Sequence, residues 1–303
     1  IGTAAGYLYL RPDSDYLTAI VIGAAIIVLV GILDDKFSLS PLWKLIGQLC
    51  AAIVVVSSGL TIDFITMPFG GEIEFGWMAY FVTVFWIIAI TNAINLIDGL
   101  DGLASGVSTI AISTLLIMAI LDHQLLVITL STILAGSTIG FLLFNFHPAK
   151  IFMGDTGALF LGYSISILSI LGLFKSVTLF SFVIPIIVLA VPIFDTLFAI
   201  IRRVLNKQKI SAPDKYHLHH CLLSMGFSHR TTVIIIYGIS LFFGGSAILF
   251  SKATLWGSLL IIALLLMIVQ LTAEVTGLIG KKRKPVLNII KRFKLLNQQH
   301  KNG

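Results

Sequence analysis

The chain has 303 residues, 57% of them hydrophobic and only 11% charged, with a mean hydropathy of +1.03. Soluble domains carry about 25% charged residues, so this composition excludes a water-soluble globular enzyme and a disordered chain. The net charge of +6 is a tail effect: residues 281–303 hold eight bases and no acid, the other 280 sum to −2, and nucleic acid therefore has little support as a partner.

Crossing a bilayer takes about 20 apolar residues in a helix. Stretches that qualify run near 17–33, 42–60, 77–97, 103–121, 124–145, 156–174, 179–201, 231–250 and 254–279, and residues 1–10 read as the end of a tenth. The expected fold class is therefore all-α, a polytopic membrane helix bundle of about ten spans with the first truncated. Residues are expected upstream of Ile1, where the chain opens inside an apolar stretch without a Met. Residues 1–280 form one transmembrane domain in this reading. Residues 281–303 form a basic cytoplasmic tail, either an interfacial helix on anionic lipid or a solvated segment. The two cysteines, Cys50 and Cys221, make no disulfide framework.

Orientation follows from loop charge. With the loop at 34–41 inside, Lys36, Lys44, Lys150, Arg202, Arg203, Lys207, Lys209, Lys215, Arg230 and the tail lie inside, against Arg11, Lys175 and Lys252 outside. That bias is the positive-inside pattern of a multi-pass membrane protein. The outer segment 61–76 has short alternating runs around Pro-Phe-Gly-Gly, which suit a small hairpin or a plain loop.

Acids are scarce, so their positions carry information. Asp34, Asp35, Asp98, Asp101, Asp155 and Asp195 all fall near the inner ends of expected spans. A single Asp there is commonly a helix cap; six on one face point to a cation, a substrate or both. In GILDDKFSLSPLWK, neighbouring Asp34 and Asp35 point about 100° apart on a helix and must serve different partners. Lys44 is either their charge partner or an ordinary snorkelling lysine. In TNAINLIDGLDGLASG, Asn92, Asn95, Asp98 and Asp101 recur every third residue, which would align four oxygen-bearing side chains along one helix end. That stripe suits Mg²⁺ or hydroxyl groups.

FNFHPAKIFMGDTG breaks at Pro148 and reopens as a helix at the Gly-Asp-Thr-Gly. Asp155 is either an N-cap or a ligand to a metal that itself carries phosphate. Phe152 either stacks on a base or packs, while His147 and Lys150 read as interfacial. The last motif runs from Pro192-Ile-Phe-Asp195 through Arg203 to HLHH. Arg203 offers a phosphate fork; His217, His219 and His220 contact phosphate or sugar, or form a structural cluster. No cysteine or acid completes a zinc site at ligand spacing there. Arg202, Lys207, Lys209 and His229 read as inner-face charge only.

Acids fit for a metal, bases and amides fit for phosphate, and an aromatic on one face match phosphoryl transfer. A transporter is the competing class, since intramembrane acids mark ion paths; clustering at the inner ends disfavours it. From GILDD through NxxNxxDGxDG, FNxxPAxxFxGDTG and PxxD to HLHH, the chain resembles the polyprenyl-phosphate N-acetylhexosamine-1-phosphate transferases. PDKYHLHH is similar to the branch that begins wall teichoic acid and related surface polymers with GlcNAc.

The resemblance implies transfer of GlcNAc-1-phosphate from UDP-GlcNAc to undecaprenyl phosphate with Mg²⁺ (Mn²⁺ as the substitute), at the cytoplasmic face of the plasma membrane. UDP-MurNAc-pentapeptide is the alternative donor. Asp155 is implied as the metal ligand, with Asp34, Asp35 and Asp98 as the other catalytic acids. Asn95, Asp98 and Asp101 would line the nucleotide end, Asn145 and Phe152 the uracil, and Lys44 the lipid phosphate. Arg203 and His217 would hold the diphosphate or sugar. Besides these substrates the partner is the lipid bilayer; a monomer and a homodimer are both compatible with the sequence.

Overall fold

The computed structural model describes residues 2–10, 15–67, 71–174, 182–208 and 216–277. The basic tail, and Arg11, Lys175, Lys209 and Lys215 of the charge pattern, lie outside the described residues. In chain order the helices are α1 (Gly2–Leu10), α2 (Leu17–Phe37), α3 (Pro41–Ser57), α4 (Met78–Ile97), α5 (Leu103–Leu121) and α6 (Leu125–Asn145). They continue as α7 (Gly154–Ser169, extended by a π-helical turn over Ile170–Phe174), α8 (Val183–Val188), α9 (Ala190–Leu205), α10 (Leu218–Ser224), α11 (His229–Ser251) and α12 (Leu255–Thr276). Seven of them, α2, α4, α5, α6, extended α7, α11 and α12, are long and apolar enough to cross a membrane, and the 17-residue α3 is a shorter apolar helix. The all-α membrane bundle is borne out.

From residue 182 on, the expected span at 179–201 is two helices. Pro192 has no N–H to offer the carbonyl four residues back, and its ring crowds that carbonyl, so α8 stops at Val188 and α9 restarts at Ala190. Average hydropathy is blind to this break. Phe64–Thr66 and Glu72–Glu74 pair antiparallel, so the 61–76 segment carries the hairpin.

Helix α7 runs through the centre, with most of its residues from Ala158 to Ser169 buried. Two glycines bring its neighbours close. A Cβ on Gly31 of α2 would lie 2.4 Å from the Thr156 Cα, and one on Gly162 of α7 would lie 2.7 Å from the Thr91 Cα of α4. Backbone-to-backbone packing through small residues is how membrane helices associate without a hydrophobic drive. Here it draws together the C-terminal ends of α2 and α4 and the start of α7. Facing outward are Leu29, Phe85 and Leu264, while Trp43, Trp77 and Trp256 are exposed at helix starts, where an aromatic belt belongs.

Candidate active site

The corner between α2 and α3 holds the first acid pair. Ser38 turns left-handed at φ 50° and donates its N–H to the Asp34 carbonyl. The buried Asp34 carboxylate accepts the Leu39 N–H at 2.9 Å and pairs with Lys44 in the first turn of α3. Asp35 points elsewhere, as adjacent helical residues must. Its oxygens accept the Asp155 N–H at 2.7 Å, the Thr156 N–H at 3.1 Å and the Thr156 hydroxyl at 2.6 Å. These amides belong to the first turn of α7, so Asp35 caps that helix from another span. Asp155 is therefore not the cap of α7; its carboxylate is left for other partners.

Asn95 at the end of α4 donates to Asp155 Oδ1 at 2.5 Å, and the Lys44 ammonium lies 3.7 Å from Asp155 Oδ2. Asp98 follows one residue after α4 and takes no side-chain hydrogen bond among those described. Burial, with the charges of Asp155, Asp35 and Asp101, pushes its carboxyl up to about 6. The expected four-residue stripe is corrected here. Helix α4 ends at Ile97, so Asp98 and Asp101 sit on a turn, and Asn92 exchanges two hydrogen bonds with Gln48 of α3, at 2.6 and 3.2 Å, away from the acids.

The second cluster lies where α5, α6 and α11 begin or end. Asp101 Oδ2 faces His147 Nδ1 at 2.9 Å and accepts the Ala149 N–H at 3.1 Å. Burial raises that carboxyl, but the Ala149 amide and His147 outweigh it and hold it below the usual range. Buried Asn145 accepts from the Gly102 N–H at 3.2 Å and the Ser105 hydroxyl at 2.7 Å, and donates to the Ile151 carbonyl at 2.9 Å. It braces two turns. Phe152 is 76% exposed and packs into no core, which leaves its ring face for a ligand.

The HLHH segment makes a third cluster. Asp195 of α9 faces His217 Nδ1 at 2.9 Å and accepts the Leu218 N–H at 2.7 Å, so it anchors the start of α10. His219 is buried against the Asp98–Asp101 turn, its Nε2 only 2.4 Å from where a Cβ on Gly99 would stand. Burial, reinforced by the neighbouring His220, pushes its pKa down to about 4, so the ring is neutral. His220 is exposed and its ring centre lies 4.1 Å from that of His219. Arg203 is buried.

Among the described residues, the group of three with ligand atoms within 4.8 Å of one another is Asp101, His147 and His229, not the HLHH segment. His147 and His229 are thus part of the site region, where the sequence suggested only surface charge. Arg230 and Tyr237 join them there. The one sequence signal for this is GLASG, whose Gly102 and Gly106 are spaced as a helix-contact pair.

Asp98, Asp155 and Asn95 form an all-oxygen donor set, the chemistry a hard cation such as Mg²⁺ prefers. Mg²⁺ is usually held by one or two carboxylates, with substrate phosphate and water completing the octahedron. The acids gathered around Lys44, with Asp98 among them driven toward protonation, fit such an ion.

The family model described as Glycosyl transferase family 4 matches residues 17–173. A Bacillus subtilis (strain 168) protein named probable undecaprenyl-phosphate N-acetylglucosaminyl 1-phosphate transferase is 60% identical over 295 residues, covering 97% of this chain and 82% of its own length. The decaprenyl-phosphate N-acetylglucosaminephosphotransferase of Mycolicibacterium smegmatis is 34% identical over 88% of this chain and 71% of its own. A phospho-N-acetylmuramoyl-pentapeptide-transferase of Listeria monocytogenes is 40% identical over 50% of each.

Proposed function

The chain belongs to glycosyl transferase family 4, and from that premise we propose that it transfers GlcNAc-1-phosphate from UDP-GlcNAc to undecaprenyl phosphate. The products are undecaprenyl-diphosphate-GlcNAc and UMP. The names of the Bacillus and mycobacterial relatives support this donor and acceptor class. The observation that carries the reading is the meeting of Asn95 and Lys44, from the ends of two other helices, at the Asp155 carboxylate, with Asp98 near enough to feel its charge.

An acceptor phosphate oxygen attacks the donor's β-phosphorus, the bond from that phosphorus to the UMP oxygen breaks, and UMP leaves with the electron pair. Such a step asks for positioning and charge neutralisation more than for covalent chemistry. A phosphate monoester has its second pKa near 6, so the acceptor needs little help from a base. Asp34, tied to the Leu39 N–H and to Lys44, orients the lysine toward the acceptor phosphate rather than taking a proton. Asp155 and Asp98 would hold Mg²⁺, which when bound neutralises charge on the donor diphosphate. Asn95 fixes the Asp155 carboxylate through its amide.

The exposed Phe152 ring stacks on uracil, with Asp101 beside it. Arg203 and His217 would hold the diphosphate or sugar, as the resemblance implies, with exposed His220 as a further contact and His219 shaping the loop that carries them. The positive-inside pattern supports a cytoplasmic site in the plasma membrane. The likeness of the HLHH segment to the teichoic-acid branch supports a role in starting a surface polymer.

The test uses purified protein in detergent with labelled UDP-GlcNAc and undecaprenyl phosphate. UMP release with label in the lipid fraction, lost on chelation and restored by Mg²⁺, is expected. No UMP release while UDP-MurNAc-pentapeptide turns over would move the donor; solute flux without either would overturn the reading.

A further inference from the structure

Helix α11 touches both the segment after α6 and the turn that follows α4, with residues that the transfer reading leaves unused. Its first residue, His229, stacks on His147 with ring centres 4.1 Å apart and planes 21° apart. Arg230 donates from Nε to the His147 carbonyl at 3.1 Å. Two turns on, the Tyr237 hydroxyl donates to the Gly102 carbonyl. The Tyr237 ring also fills the space over Gly106, 2.0 Å from where a Cβ would stand. His147 in turn faces Asp101.

These contacts bridge two segments that carry working groups. One is the turn Asp98–Gly102; the other is 145–155, with Asn145, Phe152 and Asp155. Neither segment is helical between its flanking helices, so neither fixes its own position. The partners of His229 and Arg230 lie on the 147–149 turn, those of Tyr237 on the 102–106 turn. One rigid helix therefore contacts both and adds to the direct ties that Asn145 and Asp101 make between them.

We infer that His229, Arg230 and Tyr237 are positioning residues: a brace on α11 that fixes the nucleotide end of the site by holding Asp101 and Gly102 against the 147–149 turn. The inference rests on the transfer reading for its substrate and on the contacts themselves for its geometry. None of the three needs to touch the reacting atoms. Lys44 and the α2–α3 corner lie outside the brace, so acceptor binding is independent of it.

The experiment compares His229→Ala, His229→Phe, Arg230→Ala and Tyr237→Phe in the full chain in detergent. The two alanine variants and Tyr237→Phe should each raise KM for UDP-GlcNAc about fivefold to tenfold, the scale of one lost hydrogen bond or ring contact. KM for undecaprenyl phosphate and the melting temperature should stay near wild type. His229→Phe keeps a ring to stack on His147 and should recover most of the loss.

Hydrogen–deuterium exchange supplies a readout independent of turnover: amides of 99–106 and 145–152 should exchange faster in the same three variants, with α2 and α3 unchanged. Unchanged donor KM together with unchanged exchange overturns the brace. Equal weakening of both substrates with a lowered melting temperature also overturns it, by making these contacts general scaffolding. Wild-type protein that releases no UMP from UDP-GlcNAc fails the transfer reading instead, and the exchange pattern then decides the brace alone.

Discussion

Asp35 and Asp155 lie within a few ångströms of each other, yet their surroundings differ in kind. Asp35 accepts three hydrogen bonds from the first turn of α7. Asp155 accepts one amide hydrogen bond and has a lysine at 3.7 Å. Asp101 and Asp195 resemble Asp35: each is occupied by a histidine and a backbone N–H. Asp98 resembles Asp155, with no hydrogen-bond donor among the described residues and a proton affinity raised by burial and its acidic neighbours. With Asp34 tied to the Leu39 N–H and to Lys44, the six acids divide into those that hold structure in place and those with oxygens to spare. A carboxylate whose acceptor capacity is consumed is a structural part; one left in excess negative charge is ready for a cation or a phosphate-bound metal.

Exchanging the two roles by mutation is the most direct way to break that division. Asp155→Asn keeps the shape and the Asn95 contact distance but removes the charge. Turnover should fall by roughly 10²–10³-fold or more, the scale of losing one preorganised electrostatic group, with the melting temperature near wild type. A stable variant that transfers at half the wild-type rate would put Asp155 among the braces.

Asp35→Ala should show the reverse signature. It leaves two amides and a hydroxyl of α7 without their acceptor, at about 0.5–2 kcal/mol, the cost of losing a helix cap. A melting temperature lowered by several degrees should accompany any loss of rate. An unchanged melting temperature would erase the contrast with Asp155.

The smallest effect concerns His219, whose ring lies between the two regions. Burial lowers its folded pKa to about 4, while the unfolded chain titrates near 6.5. Below pH 6.5 the unfolded state binds the extra proton first, so stability falls as the pH drops toward 4 and levels off beneath it. Histidine NMR should show one ring that does not titrate between pH 8 and 5. Titration near 6.5 would mean that the ring is in water and not packed on the Asp98–Asp101 turn.

Much of this molecule was legible in its residues. Long apolar runs located the spans, because a bilayer tolerates little else. Scarcity of charge also pointed to all six acids. What could not be read was the division of labour among them. Nothing local to Asp35 announces that its acceptor sites go to amides about 120 residues later, since that contact exists only after α2 and α7 pack through Gly31. The three-residue spacing from Asn92 to Asp101 misled for a related reason: it assumes a helix that Asp98 and Gly99 end. His229, Arg230 and Tyr237 were invisible as a group because their partners, His147 for the first two and Gly102 for the third, lie far away in sequence.

The cap on α7 also bears on how the chain is made. Most helices carry a capping group within a residue or two of their own start, so they can close the first turn as soon as they form. Here the acceptor arrives from a span synthesised long before, and the amides of Asp155 and Thr156 are satisfied only once the two helices have met. In a chain that has inserted but not yet assembled, the first turn of α7 is left to water at the interface. Ordering of that turn, and with it the aim of Asp155, therefore reports that α2 has docked. Quality control of the bundle and readiness of its chemistry become the same event.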